Sequence, residues 1–161
     1  YESTYGDWSS DVCSSDLVSR SMRWVETSTI VRFNEVDQWQ IAWYGHYFAW
    51  FEIGRMKVLE MFSLLPGDFT ALGYLAPVVN ARCDYKSSAL TNDAIVIRTH
   101  LDKPQTTALT FRFEIVRESD RRLLAQGETT QVLTRLDGVV IYKLSGDLKD
   151  RIQAMVAYFW P

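Results

Sequence analysis

The sequence predicts an α+β domain in which one antiparallel sheet lies on one side of a long apolar helix. Three observations carry this. Residues 44–65 read YGHYFAWFEIGRMKVLEMFSLL, and between Tyr47 and Leu65 only Glu52, Arg55, Lys57, Glu60 and Ser63 are clearly polar. A surface helix needs only one apolar stripe, so this one must be covered on most sides. Four or five strand-like runs follow, and in Leu109–Arg117 the residues Leu109, Phe111, Phe113 and Ile115 alternate with Thr110, Arg112 and Glu114. That is the period of a sheet with one buried face. Segregated strands and helices, rather than strict alternation of the two, point to α+β.

The elements follow in order. Trp24–Phe33, WVETSTIVRF, is rich in β-branched and aromatic residues and reads as a strand. NEVDQWQIAW is a loop leading into the helix, which Pro66-Gly67 ends. Leu75–Lys86, Ala94–Leu101, Leu109–Arg117 and Leu123–Leu136 read as strands, with Gly127 marking a bulge in the last. Asp137-Gly138 is a hairpin turn into VVIYK. A final helix begins near a Ser145 or Asp147 cap, with Leu148, Ile152, Met155, Val156 and Phe159 at helical spacing. The outer edges and back face of such a sheet favour self-association.

Composition bounds the function. With 161 residues, 47% of them hydrophobic, the chain can build one full-sized core. No apolar run reaches the ~18 residues of a membrane span, and no opening stretch has the layout of a signal peptide. A net charge of −3 has the wrong sign for a nucleic-acid backbone binder. Two cysteines do not make a disulfide framework or a thiolate zinc site, so a reducing, cytoplasmic setting is expected. Residues 1–21 show no periodicity and are expected to be a disordered tail. Within them DWSSDVCSSDL, Asp7 to Leu17, resembles the translation of a sequencing-library adaptor, which makes the tail an artefact and residues 22–161 the single domain. Without residues 1–21 the domain is formally neutral and Cys83 is its only cysteine, read as a small core residue in a strand.

There is no phosphate-binding glycine loop, HExxH, CxxC or GxSxG. His46 and His100 fall in no metal pattern, and His100 reads as a partly exposed strand residue. The informative stretch is residues 31–55. Asp37 lies in a loop just before the helix, whose first N–H groups are unpaired and whose dipole is positive. Such an end can hold a developing oxyanion while a nearby carboxylate attacks or activates water. On residue type alone an acid in this place is more often a turn or capping residue than a catalytic one. Glu35 reads as a solvated neighbour, and Glu52 and Arg55 as an i,i+3 pair. Trp39, Trp43, Tyr44, Tyr47, Phe48, Trp50 and Phe51 read first as packing residues.

VRFNEVDQ, WYGHY, WFE and Arg55 resemble, in order and spacing, the signature of the 4-hydroxybenzoyl-CoA thioesterase branch of the hotdog-fold superfamily. Asp84-Tyr85-Lys86, Ser88-Ala89 and Asp93 resemble its next turn, and GETTQVLTRLDG its last core strand and hairpin. The resemblance implies a hotdog fold, a curved antiparallel sheet around the helix near residues 46–64. It implies hydrolysis of an acyl-CoA thioester to free acid and CoA, with no metal or other cofactor. It makes Asp37 the catalytic carboxylate, as nucleophile or general base. It makes Tyr44 the residue whose backbone N–H polarises the thioester carbonyl. Trp43, Gly45, His46 and Tyr47 of the same turn are expected to border the substrate, and Lys86 and Arg98 to meet the CoA phosphates. Partners are the acyl-CoA and further copies of the chain, as a homodimer joined sheet edge to edge or a homotetramer. Three departures stand out: Gln40 replaces a usual Gly, His46 a frequent Asn and Ser88 a usual Pro. Gly at the first position would serve a φ that other residues avoid. Two other classes remain open. One is a non-catalytic acyl- or partner-binding protein, favoured by Gln40. The other is an acyl thioester hydratase or dehydratase, whose His and second carboxylate are not recognisable here.

Overall fold

The computed structural model describes residues 22–161, and the expectation for residues 1–21 lies outside the described residues. Strand β1 (Val25–Ile30) leads through a short 3₁₀ turn (Phe33–Glu35) to helix α1 (His46–Met61) and helix α2 (Pro66–Ala71). Then come β2 (Tyr74–Leu75), β3 (Val78–Tyr85), β4 (Ala94–Leu101), β5 (Leu109–Arg117), β6 (Leu123–Gln131), β7 (Thr134–Arg135) and helix α3 (Gly146–Phe159). Five strands form one antiparallel sheet in the order β1-β4-β5-β6-β3, and β2 pairs with β7. No helix of the described residues is long and apolar enough to cross a membrane.

One face of the sheet carries the core. Ile95, Ile97 and Leu101 of β4 and Leu109, Phe111, Phe113 and Ile115 of β5 are fully buried, while Arg98, Arg112 and Glu114 point the other way. Helix α1 lies on the apolar face through Tyr47, Trp50, Phe51, Gly54, Val58 and Leu59, a stripe at i, i+3, i+4 spacing. Its remaining face is open: Phe48, Ile53 and Met61 are exposed, so the isolated chain covers less of this helix than its composition suggests. Phe51 stacks on Phe113 with ring centroids 4.6 Å apart.

Two glycines permit that approach. A Cβ on Gly54 would come within 2.7 Å of Ile97 and closer still to Thr99. One on Gly127 would strike the Phe51 ring at 2.6 Å and the backbone of Arg82. Gly127 therefore makes no bulge. It pairs in regular register with Phe113 and Cys83, and its missing side chain is the space Phe51 occupies. Pro66-Gly67 likewise begins a helix instead of ending one. Ser63, at φ +54°, turns the chain after α1, the Leu64 N–H bonds back to the Leu59 carbonyl at 2.9 Å, and Leu64 enters the core. Pro66 then takes the first position of α2, where no N–H is needed.

The long runs read as single strands are divided. Leu75–Lys86 becomes β2 and β3, and Leu123–Leu136 becomes β6 and β7. The turn at Asp137-Gly138 forms, with Gly138 at φ +84°, but VVIYK contributes one bridge, Thr134 to Val140, and no strand. Helix α3 closes the core with Leu148, Ile152, Met155 and Phe159. His100 is completely buried, because Trp24, Phe159 and Trp160 pack around its ring at 5.3–5.6 Å. Its Nδ1 lies 2.8 Å from the Arg23 carbonyl. Cys83 is half-buried, and desolvation pushes its thiol above the ordinary range.

Candidate active site

The loop before α1 folds as a miniature hairpin. Val36 bridges Ala42, the Asp37 N–H donates to the Ile41 carbonyl at 2.8 Å, and the Gln40 N–H donates to the Asp37 carbonyl at 3.0 Å. Gln40 closes the turn at φ +62°, in the left-handed region that suits glycine. The Asp37 side chain is half-buried. Its Oδ1 accepts the N–H groups of Trp39 at 2.8 Å and Ile41 at 3.3 Å. Its Oδ2 has no hydrogen-bond donor among the described residues.

A second loop clamps the first. The Ala42 N–H donates to the Ala89 carbonyl at 2.9 Å, and Ile41 bridges Leu90. That loop is held in turn by Asp93, whose Oδ2 accepts the Leu90 N–H and the Arg117 Nε, each at 2.9 Å. Arg117 also donates from Nη2 to the Ser88 carbonyl at 2.8 Å.

Glu35 sits where the hairpin meets the helix. It is 9% exposed and not a solvated neighbour. Its Oε2 accepts the Arg32 N–H at 2.7 Å, its Oε1 the Trp50 indole at 3.3 Å, and its carbonyl the Trp43 N–H at 2.8 Å. Sequence reasoning missed this role, because an acid beside a turn Asp reads as surface until the tertiary donors are known.

At the helix entrance the Tyr85 hydroxyl donates to the Tyr44 carbonyl at 2.9 Å. Desolvation first, with Cys83 next, pushes that hydroxyl up to about 12, so it remains a donor at neutral pH. The Tyr44 N–H meets no acceptor among the described residues. The Tyr44, Trp43 and Trp39 rings are exposed and form an aromatic rim. A Cβ on Gly45 would lie within 2.7 Å of the Trp43 indole, so Gly45 lets that ring fold over the turn. His46 is half-exposed with its ring edge-on to Trp43, 5.6 Å between centroids.

The structure therefore gathers Asp37, Trp43, Tyr44, Gly45 and His46 on one hairpin and the helix start that follows it. Tyr47 does not join them as a substrate wall. It is buried between Trp50 and Tyr85, at 4.8 and 5.0 Å, and burial pushes its hydroxyl above the usual tyrosine value. Lys86 is exposed just beyond the end of β3, next to Tyr85. Arg98 does not join the group in this chain. It lies on the opposite sheet face, paired with Glu26 and Glu114 and 4.8 Å above the Trp24 ring. Glu52 and Arg55 do pair, and Arg55 is buried along a cavity of about 110 Å³ that Met56, Leu59, Phe69, Leu75 and Gln131 also line.

Comparisons with known proteins agree with this architecture. A family model described as "Thioesterase-like superfamily" matches residues 31–154. A relative from Aquifex aeolicus, provisionally described as an esterase, is 24% identical over 110 residues, 68% of this chain and 84% of its own. The crystal structure of a 1,4-dihydroxy-2-naphthoyl-CoA thioesterase from Synechocystis superposes with a TM-score of 0.74 at 14% identity, covering 84% of this chain and 96% of that one. A DHNA-CoA thioesterase from Staphylococcus aureus gives a TM-score of 0.74 at 21% identity, covering 83% and 91%. Its fold is theirs, the hotdog fold, and the chain belongs to the thioesterase-like superfamily.

Proposed function

We propose that the chain hydrolyses an acyl-CoA thioester to a free acid and CoA. The observation that carries the reading is the division of labour within the Asp37 carboxylate. Two loop N–H groups fix Oδ1 and orient the side chain, while Oδ2 is left to work. The Tyr44 N–H, just before α1, meets no acceptor among the described residues and supplies the complementary electrophilic element. In this reading the carbonyl oxygen of the thioester accepts the Tyr44 N–H, which stabilises the charge that develops on it. On one route Asp37 Oδ2 attacks the carbonyl carbon, CoA leaves as the thiolate, and water then cleaves the mixed anhydride to free acid and Asp37. On the other Oδ2 takes a proton from an attacking water and passes it to the departing CoA sulfur. The rim of Trp43, Gly45 and His46 borders the acyl group, and Lys86 meets the CoA phosphates.

The working unit in this proposal is a homodimer joined through β3. That strand is an edge of the sheet, eight residues long, and its residues Val78 to Arg82 are all exposed. A long exposed edge with Val78 and Val79 on it is a pairing surface. The exposed Phe48 on α1 adds apolar area beyond the sheet.

The deciding experiment is a thiol-release assay across short, long and aromatic acyl-CoAs, with Asp37→Asn run in parallel. CoA release by the parent and its loss in the variant are expected. Tight acyl-CoA binding without CoA release would favour a carrier instead, and water addition to an enoyl-CoA would favour a hydratase.

A further inference from the structure

We infer that Glu35 is a positioning residue, fixing the Asp37 hairpin against α1 through the indole of Trp50. The kinetic part of this inference rests on the thioesterase reading, and the structural part does not. Glu35 is buried, and no cation pairs with it among the described residues. Among the described residues its side chain's only partners are two N–H donors from different elements, Arg32 at the 3₁₀ turn and Trp50 one turn into α1. A buried carboxylate is costly unless hydrogen-bonded, and as a stability device it does no better than apolar packing. What it supplies here is geometry, because both its oxygens accept and both neighbours donate. Glutamine cannot replace it, since it brings one acceptor and an NH₂ that would face a donor. Aspartate is one methylene too short to span the gap.

The same indole leads to the other half of the site. Trp50 packs on Tyr47 at 4.8 Å, Tyr47 meets Tyr85 edge-on at 5.0 Å, and the Tyr85 hydroxyl holds the Tyr44 carbonyl at 2.9 Å. Glu35 thus ties the acid-bearing loop to the aromatic stack that also anchors the helix entrance. The carbonyl of Glu35 adds a direct tie, accepting the Trp43 N–H at 2.8 Å. In the thioesterase reading Glu35, Trp50, Tyr47 and Tyr85 meet no substrate themselves and hold Trp43 and Tyr44, which do. A misplacement of about 1 Å can cost on the order of 10² in rate, so such a set acts on turnover through the atoms it holds.

The test uses Glu35→Gln, Trp50→Phe and the double variant, with two readouts. The first is kcat and KM for a hydrolysed acyl-CoA. The second is amide hydrogen exchange at Trp39 and Ile41, whose N–H groups hold Asp37 Oδ1. Glu35→Gln is expected to lower kcat roughly tenfold or more with KM within about threefold, and to speed exchange at both amides about tenfold. The double variant should lose no more than the worse single one, because both changes break one bond. Unchanged exchange in Glu35→Gln overturns the inference. So does parental kcat beside faster exchange, which would leave Glu35 a merely structural residue. Should Trp50→Phe fail to fold, Glu35→Gln with the two readouts still decides. If the parent hydrolyses no acyl-CoA, the thioesterase reading falls, and the exchange readout alone decides the positioning role.

Discussion

Gln40 and Thr91 are joined twice across the two loops that frame the site. The Thr91 hydroxyl donates to Gln40 Oε1 at 3.1 Å, and the Thr91 N–H donates to the Gln40 carbonyl at 3.4 Å. The pairing explains how a residue with a side chain tolerates φ +62°. Left-handed backbone costs a non-glycine residue roughly 1–2 kcal/mol, and an exposed hydrogen bond returns about 0.5–1.5. The loop geometry that glycine would provide is therefore retained, and Gln40 gives no support to a non-catalytic reading.

This sets an order for substitutions. Gln40→Gly relieves the backbone and is expected to melt at or slightly above the parent. Gln40→Ala keeps the strain and loses the side-chain bond to the Thr91 hydroxyl, so it should melt lowest. The gap between the two variants is about 1 kcal/mol, or ~2–4 °C for a domain of this size. Thermal melts of the three proteins check it, and an alanine variant as stable as the glycine one contradicts the strain argument.

Gly127→Ala is expected to destabilise the fold by about 1–3 kcal/mol, the usual scale for overpacking a core. The added methyl meets the Phe51 ring at 2.6 Å on one side and the Arg82 backbone on the other, so neither neighbour can yield freely. A bulge glycine would behave differently, because its cost would come from φ. Denaturant unfolding of Gly127→Ala beside Gly127→Ala/Phe51→Leu separates the two. Partial rescue by the smaller residue is expected, and its absence would contradict the packing account.

Much of this was legible from the chain itself. The bounds of β4 and β5 match their apolar runs, and in β5 the period-2 burial of one face writes itself directly into the sequence. The Asp37 loop and the helix entrance were legible through the family pattern. What stayed hidden depended on long-range neighbours. His100 is buried by Trp24 from before β1 and Trp160 from after α3. Glu35 is buried because Trp50 folds over it. Gly127 inside a strand looks the same whether it bends the backbone or admits a ring, until Phe51 is placed. The open outer face of α1 was unreadable for the converse reason, since apolar composition does not say which neighbours come from the same chain.

Alkaline conditions should report on Tyr47. Burial raises its folded pKa above the ordinary value of 10.0, so the folded state holds this proton more tightly than the unfolded one. The resulting stability is complete below pH 10 and is lost as pH rises through the higher folded value. A melting temperature that holds to about pH 9 and falls beyond 10 is expected. Tyr47→Phe should fall less steeply over the same range. Identical alkaline slopes in parent and variant would show that this hydroxyl is not the group responsible.

Val79 offers a direct test of the edge-to-edge dimer. It is 59% exposed near the start of β3, at the irregularity between Val78 and Asn80 on the outer edge of the sheet. A β3–β3 pairing would bury it, and a charge there would then be desolvated without a partner. Val79→Lys is expected to shift the protein to monomer by light scattering at micromolar concentration and leave its circular dichroism unchanged. A parent that is already monomeric and hydrolyses acyl-CoA would remove the interface from the mechanism.

The last prediction concerns Asp37 and uses the asymmetry of its two oxygens. Asp37→Asn keeps an acceptor at Oδ1, so the bonds from Trp39 and Ile41 survive and the hairpin stays closed. Only Oδ2 changes, from a bare carboxylate oxygen to an amide NH₂ that can neither attack nor take a proton. If Oδ2 is the working atom, turnover should fall by roughly 10² or more while the melting temperature moves little. Asp37→Ala removes both oxygens and should lose turnover and also about 0.5–2 kcal/mol of stability, the scale of a lost cap. A residue that serves only the turn gives a different pattern, with Asn nearly silent in both measurements and Ala costing stability alone. Melting and acyl-CoA turnover measured on the same two variants distinguish the patterns. Near-parental turnover in Asp37→Asn would make Asp37 a turn acid and move the search for the reacting carboxylate to Glu52 on α1.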